Sequence, residues 1–169
     1  MRSNSRDGLK DEERGCLCPL SRRRLLLGGA WAVAGALVLP AEPARAAAPE
    51  LVSNVETYRT ALARLAQNYK YALIDIRADW CAVCHRIEGE ILSHASVQRL
   101  LDHVALLKVD VTAMDGANRQ LLSYLRADGP PTFFVADTAT GEEYARTRSV
   151  GSFRRHDLIR RLQPFARAS

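Results

Sequence analysis

Two cysteines three residues apart, Cys81 and Cys84, are the residues of this chain whose type and spacing most clearly suit chemistry. They lie in the stretch 71–90, YALIDIRADWCAVCHRIEGE. On the first turn of a helix leaving a strand, two sulfurs at this spacing can close a small disulfide. The free N–H groups and macrodipole of such a turn favour the thiolate of the leading cysteine. Cys81 is therefore the candidate nucleophile, at the exposed end of the helix where a substrate disulfide can approach in line. Cys84, one turn deeper, would attack the mixed disulfide and release the reduced product. As a structural staple the pair would do little, because so short a loop constrains almost no chain entropy. There is no further cysteine pair in the folded part to complete a zinc site. The spacing points to a dithiol redox centre that calls for no cofactor and no metal.

Two carboxylates accompany the pair. Asp75 interrupts an apolar strand six residues before Cys81. Strand alternation places it on one face of the sheet, beneath the cysteine helix. Burial there would raise its pKa and suit it to exchange a proton with Cys84. Glu88 follows Cys81 by seven residues, two helical turns, and so shares its helical face. A negative charge at that position would raise the thiol pKa and oppose the helix dipole. Trp80 and Val83 would form a mostly apolar docking rim around the sulfurs, and Trp80 could equally pack into the core.

The same residues admit two rivals. Cys81-Ala-Val-Cys84-His85 is also the attachment pattern of c-type haem, with Met114, His94, His103 or His156 as possible second ligands. A copper chaperone using Cys81, Cys84 and His85 is the other, since soft thiolates suit Cu(I). The haem rival leaves the strand pattern and the Pro-Pro-Thr turn without a purpose. For His85 a solvated helix position is the simpler expectation.

The elements that must hold these residues follow from periodicity. Ser53 with Glu56 reads as a capping box, and Val55, Tyr58, Leu62, Leu65 and Tyr69 recur as one buried helix face requires. A strand over 71–78, rich in β-branched residues, suits the centre of a sheet. The cysteine helix runs from Cys81 to Leu92, and a short helix covers 96–101. A second strand spans 104–111, and a helix carrying Leu121, Leu122 and Leu125 spans 118–126. Gly129-Pro130-Pro131 stops it. A third strand covers 132–135, and Thr140-Gly141 turns into a fourth over 144–150. Ser152 caps a last helix with Leu158, Ile159, Leu162 and Phe165 on its sheet-facing side. This order, α-β-α-β-α-β-β-α, predicts an α/β fold with a mixed sheet of four to five strands and helices on both faces.

Composition limits the function classes. The 169 residues are 47% apolar, enough for one domain plus an appendage. The net charge of +5 is spread unevenly: residues 1–46 hold eight Lys/Arg against five Asp/Glu, and the remainder is close to balance. No basic stripe with interleaved aromatics argues for nucleic acid. Residues 1–46 read as an export signal: a polar leader, Ser21-Arg22-Arg23-Arg24, a short apolar run, then Ala44-Arg45-Ala46 as a cleavage site. The paired arginines are of the twin-arginine kind. Leu25 stands where that pattern usually has phenylalanine, so ordinary Sec export stays open as an alternative. The apolar run falls short of the ~20 residues that span a bilayer, which disfavours an uncleaved anchor. Cys16 and Cys18, in the leader, receive no function. The mature domain is then residues 47–169, expected to be a soluble monomer in the periplasm.

The element order, Trp-Cys-x-x-Cys after the first strand and Pro-Thr before the hairpin, resembles the thioredoxin superfamily over nearly all of residues 50–166. Within it, Asp75 to Glu88 (DIRADWCAVCHRIE), Val109-Asp-Val-Thr112 and Gly129-Pro-Pro-Thr132 are most similar to the C-terminal periplasmic domain of the thiol-reductant transporter DsbD. The resemblance implies a thioredoxin fold and the proton-exchanging and thiol-tuning roles given above to Asp75 and Glu88. It also implies a cis bond before Pro131, with Pro130, Pro131 and Thr132 beside the sulfurs as a substrate-binding turn. Unlike that transporter, the chain has no eight-helix membrane section. The resemblance thus implies a free-standing reductase, fed by a membrane donor of the DsbD or CcdA kind and reducing disulfide-bearing periplasmic proteins.

Overall fold

The computed structural model describes residues 50–168. The segment read as an export signal, with Cys16 and Cys18, lies outside the described residues. At the centre is β2, Tyr71–Arg77, in which only Arg77 is not buried. The five-stranded sheet has the order β1-β3-β2-β4-β5, with β1 at Glu50–Val52, β3 at Ala105–Asp110, β4 at Thr132–Asp137 and β5 at Ser149–Val150. β1, β3 and β2 run parallel, and β4 and β5 pair antiparallel, so the sheet is mixed as expected. The register sets Asp75 opposite Lys108 on β3 and Phe133 on β4.

Alternation along β2 divides the core. Ala72, Ile74 and Ile76 join the cluster that contains α1 (Val55–Leu65) and α4 (Gly116–Tyr124). Tyr71 and Leu73 belong to a second cluster with Ile87, Leu92, Val97 of α3 (Ala95–Leu101), and Leu158 and Leu162 of α5 (Arg155–Ala166). Asp75 shares the parity of this second set.

Several elements differ from the sequence expectation, each for a local reason. β1 went unpredicted because three residues are too few to show alternation. The first helix is capped by Asn54, whose side chain accepts from the Thr57 N–H while Thr57 answers the Asn54 N–H at 3.3 Å, so the box is one residue later than Ser53 and Glu56. The cysteine helix is not continuous: α2 covers Ala82–Arg86, then Ile87–Leu92 is π-helical, with the Ser93 N–H donating to Glu88 O at 3.1 Å. The fourth predicted strand shrinks to Ser149–Val150, because the Val135 N–H is taken by the Thr147 hydroxyl at 3.0 Å instead of by a ladder carbonyl. Arg154, not Ser152, is the N-cap residue of α5, and it makes no side-chain capping bond.

Candidate functional site

The parallel strands β2 and β3 end together, and the loops leaving them build the site. After Arg77 the chain passes through Asp79 and Trp80 into α2. The Asp79 N–H donates to Thr112 Oγ1 at 2.9 Å, and the Trp80 indole N–H donates to Thr112 O at 3.1 Å. The loop after β3 thereby anchors the one carrying the cysteines. Trp80 stays 58% exposed, which makes it a surface residue and not core packing. Val83 is half-buried against both core clusters.

Cys81 is the N-cap of α2, and its sulfur accepts from the Cys84 N–H at 3.2 Å, the bond a capping serine would make. The Cys81–Cys84 disulfide is closed, with Cα atoms 5.3 Å apart. Cys81 keeps 7% of its surface and Cys84 1%. Cys81 is the outer residue of the two, but it sits in a narrow window and not on the open helix tip expected from sequence. His85 Nε2 lies 2.7 Å from Asp79 O, and that contact ties the helix back to the preceding loop. Among the described residues no three His, Cys, Asp or Glu side chains gather as a metal site.

The Pro130–Pro131 peptide is cis. Pro131 is buried and Pro130 half-buried. Pro131 O accepts from the Gly151 N–H at 2.9 Å, and the Thr132 hydroxyl donates to Gly129 O at 2.6 Å, which fixes the turn from both sides. Gly129 enters it at φ +157.

Asp75 is 1% exposed, and neither carboxyl oxygen has a hydrogen-bond partner. Burial, reinforced by the nearby Glu88 charge, pushes its pKa up to about 7, against the pull of Lys108 and Arg77. Glu88 meets those same two cations: its Oε1 is 2.6 Å from Lys108 Nζ and 3.2 Å from Arg77 Nε. The structure thus gathers Asp75 and Glu88 with Arg77 and Lys108. The α-helical period by which Glu88 was assigned to the Cys81 face ends at Arg86.

Sequence reasoning missed Arg77 and Lys108. The signal was there: both are charged residues in apolar strands, and Arg77 stands two positions from Asp75 on the same face. The anchoring role of Thr112 depends on side-chain geometry that no spacing rule gives.

Comparison with known proteins then fixes the family. The model of a thioredoxin-like family matches residues 53–138. The chain belongs to the thioredoxin-like family. The chain is 33% identical over 115 residues to the thiol:disulfide interchange protein DsbD of Pectobacterium atrosepticum, covering 68% of this chain and 19% of that protein. It is 30% identical over 149 residues to DsbD 2 of Pseudomonas aeruginosa, covering 81% of this chain and 25% of that one. The chain therefore spans a quarter or less of the length of these curated relatives. Among solved structures, the Neisseria meningitidis DsbD C-terminal domain in its reduced form aligns at TM-score 0.58 and 22% identity, over 68% of this chain and 98% of that one. A Thermus thermophilus thioredoxin aligns at 0.55 and 22%, over 69% and 85%. At such identities the structures speak for the fold alone. Within the family the chain is DsbD-like, and it carries a cysteine pair closed as a disulfide.

Proposed function

We propose that the chain is an exported reductase that carries two electrons from a membrane donor to disulfides of periplasmic proteins. The observation that carries this is the closed Cys81–Cys84 pair at the head of α2. In the reduced protein the Cys81 thiolate attacks one sulfur of the substrate disulfide. A mixed disulfide forms, and the first substrate sulfur leaves as a thiolate. Cys84 then gives up its proton and attacks Sγ of Cys81, releasing the second substrate sulfur and closing the Cys81–Cys84 disulfide. Two electrons have passed to the substrate. Asp75, buried and without a hydrogen-bond partner, is the base proposed to take the Cys84 proton. Glu88 tunes that base and the thiols by its charge. Trp80, Val83, Pro130, Pro131 and Thr132 form the surface that receives the substrate.

The direction and location rest on likeness and on the leader. The relatives are named thiol:disulfide interchange proteins, and the same interchange is proposed here, with a donor of the DsbD or CcdA kind. Arg22 to Arg24, the apolar run and Ala44-Arg45-Ala46 support export, with residues 47–169 as the mature periplasmic domain. Among the described residues no helix is long and apolar enough to cross a membrane. Equilibration of the Cys81–Cys84 couple with defined thiol buffers tests the direction. A reductase should show a potential near that of thioredoxin, about −270 mV, and a value near that of DsbA, about −120 mV, would overturn the assignment.

A further inference from the structure

Arg77 makes more connections than any other residue at the site, and the chemistry above assigns it nothing. Its side chain is 11% exposed, and each guanidinium nitrogen faces a different carboxylate. Nη2 donates to Asp79 Oδ1 at 3.0 Å in the cysteine loop. Nε lies 3.2 Å from Glu88 Oε1 on the π-helical segment, and Nη1 lies 3.6 Å from Asp110 Oδ2 at the end of β3. The Nε contact is an ion pair without hydrogen-bond alignment. Lys108 approaches the same Glu88 oxygen from β3. Arg's planar fork suits such divergent pairing, whereas a lysine ammonium is a single point of charge.

We propose that Arg77 is a positioning residue of the redox site, which neutralises Glu88 and fastens the cysteine loop to it, and so governs the pH at which Asp75 exchanges its proton. This rests on the oxidoreductase function proposed above and names the control on its base. The charged groups facing Asp75 are Glu88 from the π-helical segment, Lys108 from β3 and Arg77 from its own strand. β4 and α5 bring Phe133, Leu158 and Leu162 to this side of the sheet, all without charge. Glu88 raises the carboxyl's proton affinity, and Arg77 and Lys108 lower it. Loss of Arg77 removes one lowering charge and unmasks the raising one, while Lys108 keeps Glu88 in place. Both effects have the same sign.

The test is the titration of the Asp75 side-chain carboxyl by 13C NMR in the oxidised protein, where neither cysteine titrates and no turnover is needed. Arg77→Met should raise the midpoint by about one unit. In a Glu88→Gln background the same replacement should move it clearly less, because the charge that Arg77 masks is gone. Arg77→Lys, which keeps the charge but cannot reach three carboxylates, should give a smaller rise and provides the readout if Arg77→Met does not fold. An unmoved midpoint in the variant that folds, or an equal shift in both backgrounds, overturns the proposal. Because the measurement is made on the disulfide form, its failure leaves the reductase assignment standing, and failure of that assignment does not disturb the titration.

Discussion

Asp75 carries a proton at a pH where an exposed aspartate has long lost it, since burial holds its pKa up at about 7. That displacement is also a statement about stability. The folded-state value lies above the ordinary aspartate value of 3.8, so between those limits the folded chain binds more protons than the unfolded one. The contribution is fully present below pH ~4 and is lost as the pH rises through about 7, amounting to about 4 kcal/mol over the whole window. Asp75→Asn keeps the shape and abolishes the titration. Denaturant midpoints at about pH 5 and about pH 8 should fall less in the variant than in the wild type; an equal fall in both would show that Asp75 titrates normally. Much at this scale was legible in the sequence. A lone carboxylate in an apolar strand is an anomaly that spacing exposes, as is a cysteine pair on a helix start. The charged residues near it were visible as residues, but their pairing was not, because ion pairs among Glu88, Lys108 and Arg77 depend on how two strands and a helix register in space.

At the scale of elements, the departures from periodicity lie around the site and its hairpin. The switch from α- to π-helix after Arg86 follows directly on the cysteine turn, and Glu88 and Ile87 belong to the π-helical part. Apolar spacing of three and four could not announce it, since one extra residue in a turn leaves the composition unchanged. The hairpin shows the opposite case, in which a side chain replaces backbone. Thr147 is buried; its hydroxyl accepts the Val135 N–H at 3.0 Å and donates to Tyr144 O at 2.7 Å. A sequence pattern reads 144–150 as strand, while the hydroxyl occupies the place where the ladder would continue. Thr147→Val keeps the volume and leaves the Val135 N–H buried without a partner, which should cost about 1–3 kcal/mol. Urea unfolding measures this, and a loss near zero would show that the hydroxyl is dispensable to β4.

For the whole molecule, the α/β class, the mixed sheet and the order of its main strands follow from apolar runs and helix spacing in residues 50–166, because buried central strands leave a strong signal. The three-residue β1 left none, and the two-residue β5 is all that remains of the strand expected over 144–150; they gain definition by pairing with β3 and β4. The placement of the candidate site was legible where its residues are local: two sulfurs, a turn of prolines, a buried carboxylate. It was illegible where it depends on how far a sulfur is covered, as the 7% exposure of Cys81 illustrates. That narrow window makes the division of labour between the two cysteines the point on which the account depends. Trapping on reduced variants with a disulfide substrate tests it most directly. Cys84→Ala should accumulate a one-to-one mixed disulfide through Cys81, and Cys81→Ala should accumulate none; a mixed disulfide formed equally through Cys84, or by neither variant, would contradict it.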